Sequence, residues 1–83
     1  MGQLLQNKVC LITGGAQGIG KAIVEQFAQD GAIVYAFDRQ FGAMDQWARE
    51  CSDLYMTKVT PVYLDITDAA AVKESLTSIY KQE

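Results

Sequence analysis

Glycines and carboxylates stand at places in this 83-residue chain where their spacing could bind a nucleotide. The run Thr13-Gly14-Gly15-Ala16-Gln17-Gly18-Ile19-Gly20 follows an apolar segment and precedes one with helical periodicity. Glycines allow a tight turn and let the backbone approach a pyrophosphate without a Cβ in the way. The unpaired amides of the following helix lie at the positive end of its dipole and would face the phosphates. The run therefore predicts a phosphate-binding turn at Gly14, Gly18 and Gly20.

Two acids follow the next two apolar runs. Asp38 closes the second run, about 20 residues beyond the glycines, where an acid can accept hydrogen bonds from an adenosine ribose. Asp65 closes the third run. Arg39 could bind an adenosine 2′-phosphate, yet the adjacent Asp38 would repel that phosphate at close range. The presence of Asp38 therefore favours NAD over NADP. The alternative is purely structural: the glycines could form a tight turn between a strand and a helix, and the acids could simply lie at strand ends.

The elements that would position these residues alternate along the chain, without a linker or a repeat. We predict strands over residues 8–13, 33–37 and 59–64, and helices over residues 18–30, 43–54 and beyond Thr67, the expected N-cap. The first strand is a continuous apolar run, typical of a strand covered on both faces. Gly31 supplies the left-handed residue that ends the first helix.

Each predicted helix carries an apolar stripe at helical spacing. The stripes are Ile19, Ile23, Phe27 and Ala28 in the first helix, Met44, Trp47, Ala48 and Cys51 in the second, and Val72, Leu76, Ile79 and Tyr80 in the third.

The spacing Gly14-x-x-x-Gly18-x-Gly20 after a threonine, with Asp38 and the pair Asp65-Ile66, resembles the cofactor motif of the short-chain dehydrogenase/reductase family. The resemblance extends over nearly the whole chain from Leu5. It implies an α/β fold, half of a doubly wound Rossmann sheet, with three parallel strands in the order 3-2-1 and helices on both faces. Pro61 would then lie in an edge strand, where proline is tolerated. The cofactor-binding residues implied are Gly14, Gln17, Gly18, Ile19, Gly20, Asp38, Arg39, Asp65 and Ile66.

The reaction of that family is hydride transfer between nicotinamide and a carbonyl or alcohol. It needs a Tyr-x-x-x-Lys pair and an upstream serine, and here Tyr80 and Lys81 are adjacent. The resemblance thus implies that residues 1–83 are a single truncated dinucleotide-binding domain, inactive alone, whose catalytic half is absent. The alternative is a non-catalytic remnant that binds nucleotide or itself. An S-adenosylmethionine methyltransferase has the same three-layer α/β fold. Such enzymes usually have an acid before the glycine loop, and this chain has Thr13 there, which argues against that class.

Charge and composition narrow the partners. Seven basic and 10 acidic side chains give a net charge of −3, which offers no basic surface for nucleic acid. Histidine is absent, and Cys10 and Cys51 lack the spacing of a metal site. No apolar stretch has membrane-spanning length, so we expect a cytoplasmic protein with reduced thiols.

A self-association is also expected. In the family's sheet the first strand is central and pairs with a fourth strand, which this sequence does not contain. An unpaired apolar edge is a template for another strand. We therefore expect two chains to pair there, antiparallel about a two-fold axis, in a sheet of order 3-2-1-1′-2′-3′.

Overall fold

Three parallel strands and three helices alternate along the chain in a computed structural model that describes residues 5–15 and 18–83. The elements are β1 (Val9–Thr13), α1 (Gly18–Gln29), β2 (Ile33–Asp38), α2 (Asp45–Tyr55), β3 (Val59–Tyr63) and α3 (Ala69–Gln82). The strands form one sheet in the order β1-β2-β3, so the predicted fold class and strand order are confirmed. Within the described residues, no helix is both long enough and apolar enough to cross a bilayer.

The side chains of β2 alternate between two cores, one on each face of the sheet. Val34 and Ala36 point towards α1 and α2, in a cluster with Val24, Ala28, Met44, Ala48, Cys51 and Val59. Tyr35 and Phe37 point the other way and pack with Ile79 of α3. Because both faces of the central strand are covered, β2 is a nearly continuous apolar segment, as expected of a parallel strand.

Gly31 ends α1 as predicted. Its φ is +91°, and its N–H donates to the carbonyl of Ala28 at 3.0 Å. The N–H of Ala32 reaches back to the carbonyl of Phe27 at 3.0 Å. These two bonds form the Schellman motif, which satisfies the last carbonyls of the helix and directs the chain into β2.

The predicted stripes are wrong for part of α1 and part of α3. In α1 the fully buried side chains are Val24 and Ala28, whereas Ile19 and Ile23 are exposed. Ile23 and Val24 are adjacent, so they point about 100° apart around the helix axis. In α3 only Ile79 is buried, and Tyr80 is 85% exposed because it faces the uncovered flank beside β1. The stripe of α2 lies in or against the core as predicted.

The predicted N-cap of α3 is also wrong by one residue. The Asp68 side chain caps the helix by accepting the N–H of Ala71 at 3.1 Å. The Thr67 hydroxyl instead donates to Asp65 at 2.7 Å. Aspartate is as favourable at the N-cap position as threonine. Because the Thr67 hydroxyl is hydrogen-bonded to Asp65, Asp68 is the residue that caps the helix.

The two outer strands have different free edges. In β3, the N–H of Val59 points away from β2 and donates to the Ser52 hydroxyl at 2.9 Å. Pro61, two residues on, points its nitrogen in the same direction, so no ladder hydrogen bond is lost and the edge-strand prediction is confirmed. In β1 only one face is covered: Val9 and Leu11 are exposed, contrary to the prediction of a strand buried on both faces.

Candidate nucleotide-binding cleft

One cleft of about 390 Å³ lies at the carboxyl ends of the strands. The ends of parallel strands meet at one edge of a sheet, where open α/β sheets bind their ligands. Five residues predicted from the sequence line this cleft, namely Gly14, Asp38, Arg39, Asp65 and Ile66. The other lining residues are Phe37, Gln40, Leu64 and Thr67. The fold thus brings together residues that are far apart along the chain.

The glycine turn connects β1 to the first turn of α1. Gly14 has a φ of +70° and Gly18 a φ of +52°, a backbone region that favours glycine. A Cβ at either position would meet no atom within 4 Å, so both face open space. At Gly20, in contrast, a Cβ would lie 2.0 Å from the carbonyl oxygen of Gly14. The first two glycines therefore shape the turn, and the third lets the helix pack against it.

Gly18, Ile19 and Gly20 form the first turn of α1. This turn contains no acidic residue, so no side-chain charge within it offsets the positive potential of its amides. Ile19 is 81% exposed, which leaves its side chain accessible to a ligand. Gln17, also predicted to bind the cofactor, lies outside the described residues.

Asp38 is the half-buried last residue of β2. Its carbonyl accepts the N–H of Leu64 at 3.0 Å, which continues the pairing with β3 to the mouth of the cleft. Its carboxylate accepts the N–H of Gln40 at 3.0 Å. This local bond turns the chain after the strand and holds the carboxylate at the cleft wall.

Asp65 is fixed by its own downstream neighbour. Its Oδ1 atom accepts the backbone N–H of Thr67 at 2.9 Å and the Thr67 hydroxyl at 2.7 Å. The two bonds from Thr67 hold the pKa of Asp65 below its ordinary value, and the positive charge of Arg39 acts in the same direction. Asp65 is therefore ionised at neutral pH, in a cleft that it shares with Asp38 and one guanidinium.

Sequence reasoning missed two supporting residues. Thr67 was expected to cap a helix, yet it orients Asp65; the Asp-x-Thr spacing is the signal that could have revealed this. Gly15 is buried, and a Cβ there would lie 2.9 Å from the Cβ of Ala36 and 3.1 Å from the sulfur of Met44. Gly15 must be glycine because a side chain would collide with the core, whereas Gly14 is glycine because its φ is positive. The local sequence does not distinguish these two reasons.

Tyr63 is a further residue that the sequence did not single out. Its hydroxyl accepts the N–H of Met44 at 2.7 Å and donates to the Asp45 carboxylate at 2.7 Å. Its ring packs on that of Phe41, with centroids 5.2 Å apart. Through these contacts Tyr63, the last residue of β3, holds both the loop that follows Asp38 and the start of α2 in place.

The residues present suit the adenosine and pyrophosphate portion of a dinucleotide. The glycine turn offers open space above helical amides, which suits phosphate. Asp38 offers a fixed carboxylate that can accept hydrogen bonds from ribose hydroxyls, and Phe37, Leu64 and Ile66 supply apolar wall for a base.

The chain is similar to known proteins over nearly its whole length. The family model named short chain dehydrogenase matches residues 8–82. A 3-oxoacyl-[acyl-carrier-protein] reductase from Thermotoga maritima is 42% identical over 78 residues, which are 94% of this chain and 31% of that protein. A 3alpha-hydroxysteroid dehydrogenase from Mediterraneibacter gnavus is 31% identical over 83 residues, which are 99% of this chain and 33% of that protein.

Solved structures show the same likeness. L-sorbose reductase from Gluconobacter frateurii, complexed with NADPH and L-sorbose, superposes with a TM-score of 0.86 at 31% identity, over 98% of this chain and 31% of that one. An NADPH-dependent 3-quinuclidinone reductase from Rhodotorula rubra superposes with a TM-score of 0.88 at 28% identity, over 98% of this chain and 30% of that one. The chain spans about a third of the length of the relatives it matches, and it corresponds to their amino-terminal part. It belongs to the short chain dehydrogenase family.

Proposed function

We propose that this chain is a single truncated dinucleotide-binding domain that binds the adenosine and pyrophosphate portion of a nicotinamide dinucleotide. The observation that carries the proposal is the convergence of Gly14, Asp38 and Asp65 on one cleft. The α1 amides and the glycine turn would hold the pyrophosphate, Asp38 the adenosine ribose, and Asp65 and Ile66 the adenine side. Gln17, Ile19 and Arg39 complete the proposed set.

In a longer protein, this domain would serve an oxidoreductase that transfers hydride between nicotinamide and a carbonyl or alcohol. The bound nicotinamide would supply the hydride chemistry. The residues described here would bind and orient the dinucleotide, since no Tyr-x-x-x-Lys spacing occurs in the chain. We therefore expect the 83-residue chain to bind weakly and to catalyse no hydride transfer on its own.

NAD is the preferred cofactor in this proposal. Asp38 lies on the cleft wall and would meet a 2′-phosphate as a like charge. Arg39 lines the same cleft, but its charge already interacts with Asp65, which weakens its attraction for a phosphate. NADP is the alternative, and the reductases named above with NADPH are relatives that use it.

Titration of the isotope-labelled chain with NAD, NADP and ADP-ribose, followed by NMR, tests the cleft. We expect amide shifts at Gly14, at residues 38–40 and at residues 64–67. Asp38→Asn keeps an oxygen for the Gln40 N–H but removes the charge. It should weaken NAD binding about tenfold or more, as expected for loss of a charged hydrogen bond. It should also narrow the preference for NAD over NADP.

The matched control is Asp53→Asn, an exposed carboxylate on α2 outside the cleft lining. This change should leave the affinity for NAD unaltered. Shifts spread over the whole surface, or equal losses in the two variants, would contradict a binding role for Asp38.

We further propose that the chain associates with a second copy through the exposed edge of β1. The support is that, among residues 5–15 and 18–83, no strand pairs with that edge, and that Val9 and Leu11 beside it are exposed. Sedimentation across the micromolar range tests this, and a chain that stays monomeric would contradict it. We also propose a cytoplasmic location. The free thiols of Cys10 and Cys51 would suit a reducing compartment.

A further inference from the structure

The side chain of Met44 packs against the glycine turn from the core side. Met44 precedes α2 and is fully buried in the core between the sheet and the first two helices. Its sulfur lies 3.1 Å from the place that a Cβ on Gly15 would occupy. Gly15 is itself buried, and its N–H donates to the carbonyl of Phe37 in β2 at 3.2 Å. The Met44 thioether and the end of β2 therefore support the turn on the side that faces away from solvent.

The backbone position of Met44 is set by Tyr63, the last residue of β3. Met44 is the N-cap of α2 but its side chain makes no capping bond, and its N–H donates to the Tyr63 hydroxyl at 2.7 Å. The same hydroxyl donates to the Asp45 carboxylate at 2.7 Å. The Met44 carbonyl accepts the N–H of Ala48 at 2.7 Å, which begins the helix. One tyrosine hydroxyl thus fixes the residue whose side chain supports the turn.

Tyr63 can make both of these bonds because it keeps its proton. Burial raises the pKa of Tyr63 above its ordinary value, and the bond to the Asp45 carboxylate raises it further. The hydroxyl is therefore protonated at neutral pH, so it can accept from Met44 and donate to Asp45 at the same time. The ring of Phe41, with its centroid 5.2 Å away, packs on the ring of Tyr63.

We propose that Tyr63 and Met44 are positioning residues for the pyrophosphate of the dinucleotide, although neither of them lines the cleft. The Tyr63 hydroxyl fixes Met44, and the Met44 thioether fixes Gly15 and with it the amides of the glycine turn. The inference rests on the proposed function, because it concerns how the same cleft binds its ligand. The two residues act through the turn and make no contact with the ligand.

The two ends of the cleft should respond differently when this support is lost. The carboxylates of Asp38 and Asp65 accept bonds from Gln40 and Thr67 in their own loops, and those bonds do not pass through Met44. A phosphate at the glycine turn would instead be bound by several backbone N–H groups that must converge on it. A small displacement of the turn weakens all of those bonds together. A change at Tyr63 should therefore lower the affinity for phosphates and leave the affinity for adenosine unaltered.

The affinities of wild type and Tyr63→Phe for adenosine, ADP and ADP-ribose test the inference. We expect ADP and ADP-ribose to bind about fivefold more weakly in the variant, which is the change that loss of one ordinary hydrogen bond gives. Adenosine should bind equally well to both chains. Equal losses for all three ligands, or no loss for any of them, would overturn the proposal.

Met44→Ala tests the same path at its other end, because it removes the thioether and keeps the backbone N–H that Tyr63 accepts. The loss should again be confined to ADP and ADP-ribose. The double variant should lose no more phosphate affinity than Met44→Ala alone, because both changes act through one contact. Additive losses would contradict the shared path.

Val59→Ala is the matched control, since it shortens a core side chain at the opposite end of β3 from Tyr63. It should lower the stability of the chain and leave the ratio of ADP affinity to adenosine affinity unaltered. A ratio that falls as far in Val59→Ala as in Met44→Ala would assign the effect to general loss of stability and overturn the positioning role.

Amide NMR of the ligand-free chain separates this inference from the proposed function. In Tyr63→Phe the Gly15 amide should shift and exchange faster, while the amide of Thr67, which is bonded to Asp65, should not change. An unaltered Gly15 amide would overturn the positioning role even where the cleft binds NAD. A wild-type chain that binds neither ADP-ribose nor NAD would overturn the proposed function, and the Gly15 amide still reports on the support of the turn.

Discussion

The carbonyl oxygen of Gly14 occupies the space in which a side chain at Gly20 would begin. A Cβ on Gly20 would lie 2.0 Å from that oxygen, well inside van der Waals contact. The backbone of Gly14 therefore packs directly on the backbone of Gly20 in the first turn of α1. The position of the α1 amides relative to the turn depends on this contact.

We predict that Gly20→Ala destabilises the chain by about 3 kcal/mol, since the turn must shift to admit the methyl group. Helix propensity alone would make the alanine variant more stable by about 1 kcal/mol. A loss of stability would therefore show that the contact with the Gly14 carbonyl oxygen dominates. Urea unfolding followed by circular dichroism measures it. Gly14→Ala is the comparison: a Cβ there has open space, and only the positive φ costs energy, about 1 kcal/mol. Equal losses in both variants would contradict the close contact.

Removal of the Tyr63 hydroxyl should loosen the loop between β2 and α2. Tyr63→Phe keeps the ring contact with Phe41 but leaves the Met44 N–H and the Asp45 carboxylate without this partner. We expect a loss of about 1–2 kcal/mol in the free energy of unfolding. Hydrogen exchange should also become faster at the Met44 amide.

Tyr80→Phe is the matched control, because Tyr80 is exposed on α3. It should change stability by less than about 0.5 kcal/mol. An unchanged exchange rate at Met44 in Tyr63→Phe would show that the hydroxyl does not hold this loop.

The pH dependence of the cleft should reflect Asp65. Its pKa is lowered by the hydrogen bonds from Thr67, and the ordinary aspartate pKa is about 3.9. A group whose pKa is depressed by folding contributes stability above its unfolded pKa. That contribution is lost as the pH falls through the lower, folded pKa. Thr67→Val removes the hydroxyl, so the pKa of Asp65 should rise towards its ordinary value.

Carbon-detected NMR titration of the Asp65 carboxyl from neutral to acidic pH measures this change. Thr77→Val, at an exposed threonine on α3 that bonds only within its own helix, is the control and should leave the Asp65 pKa unaltered. An Asp65 pKa that does not move in Thr67→Val would show that the hydroxyl does not lower it, and would leave the Thr67 backbone N–H and Arg39 as the causes.

Local pattern was enough for the elements and for most of the cleft. The continuous apolar runs that end at Thr13, Asp38 and Leu64 are typical of parallel strands, and strands are found there, although β1 is covered on one face only. Since parallel strands end at one edge of the sheet, the sequence already predicts that the glycine turn and the two acids lie close together. The roles of these residues towards a cofactor stay predictions.

The stripes and the cap were less predictable, because they depend on how a helix is rotated and on which neighbour takes a given side chain. Ile23 and Val24 are equally apolar, and only the packing of α1 on β2 buries the second. Thr67 and Asp68 are both favourable N-cap residues. Thr67 does not cap α3 because its hydroxyl is hydrogen-bonded to Asp65, and Asp68 caps the helix instead.

The sequence by itself determined the elements, the turn chemistry and the acids at the strand ends, because each depends on residue type and short-range spacing. The strand order was implied by the resemblance to the family. Only the tertiary structure decided that Gly20 must lack a side chain for the sake of Gly14, and that Tyr63 fastens the start of α2. It likewise decided that the Ser52 hydroxyl accepts the outward-pointing N–H of Val59 on β3. Each of these contacts joins two different elements or a turn and an element, and the distance between such residues is set by the packing of whole elements.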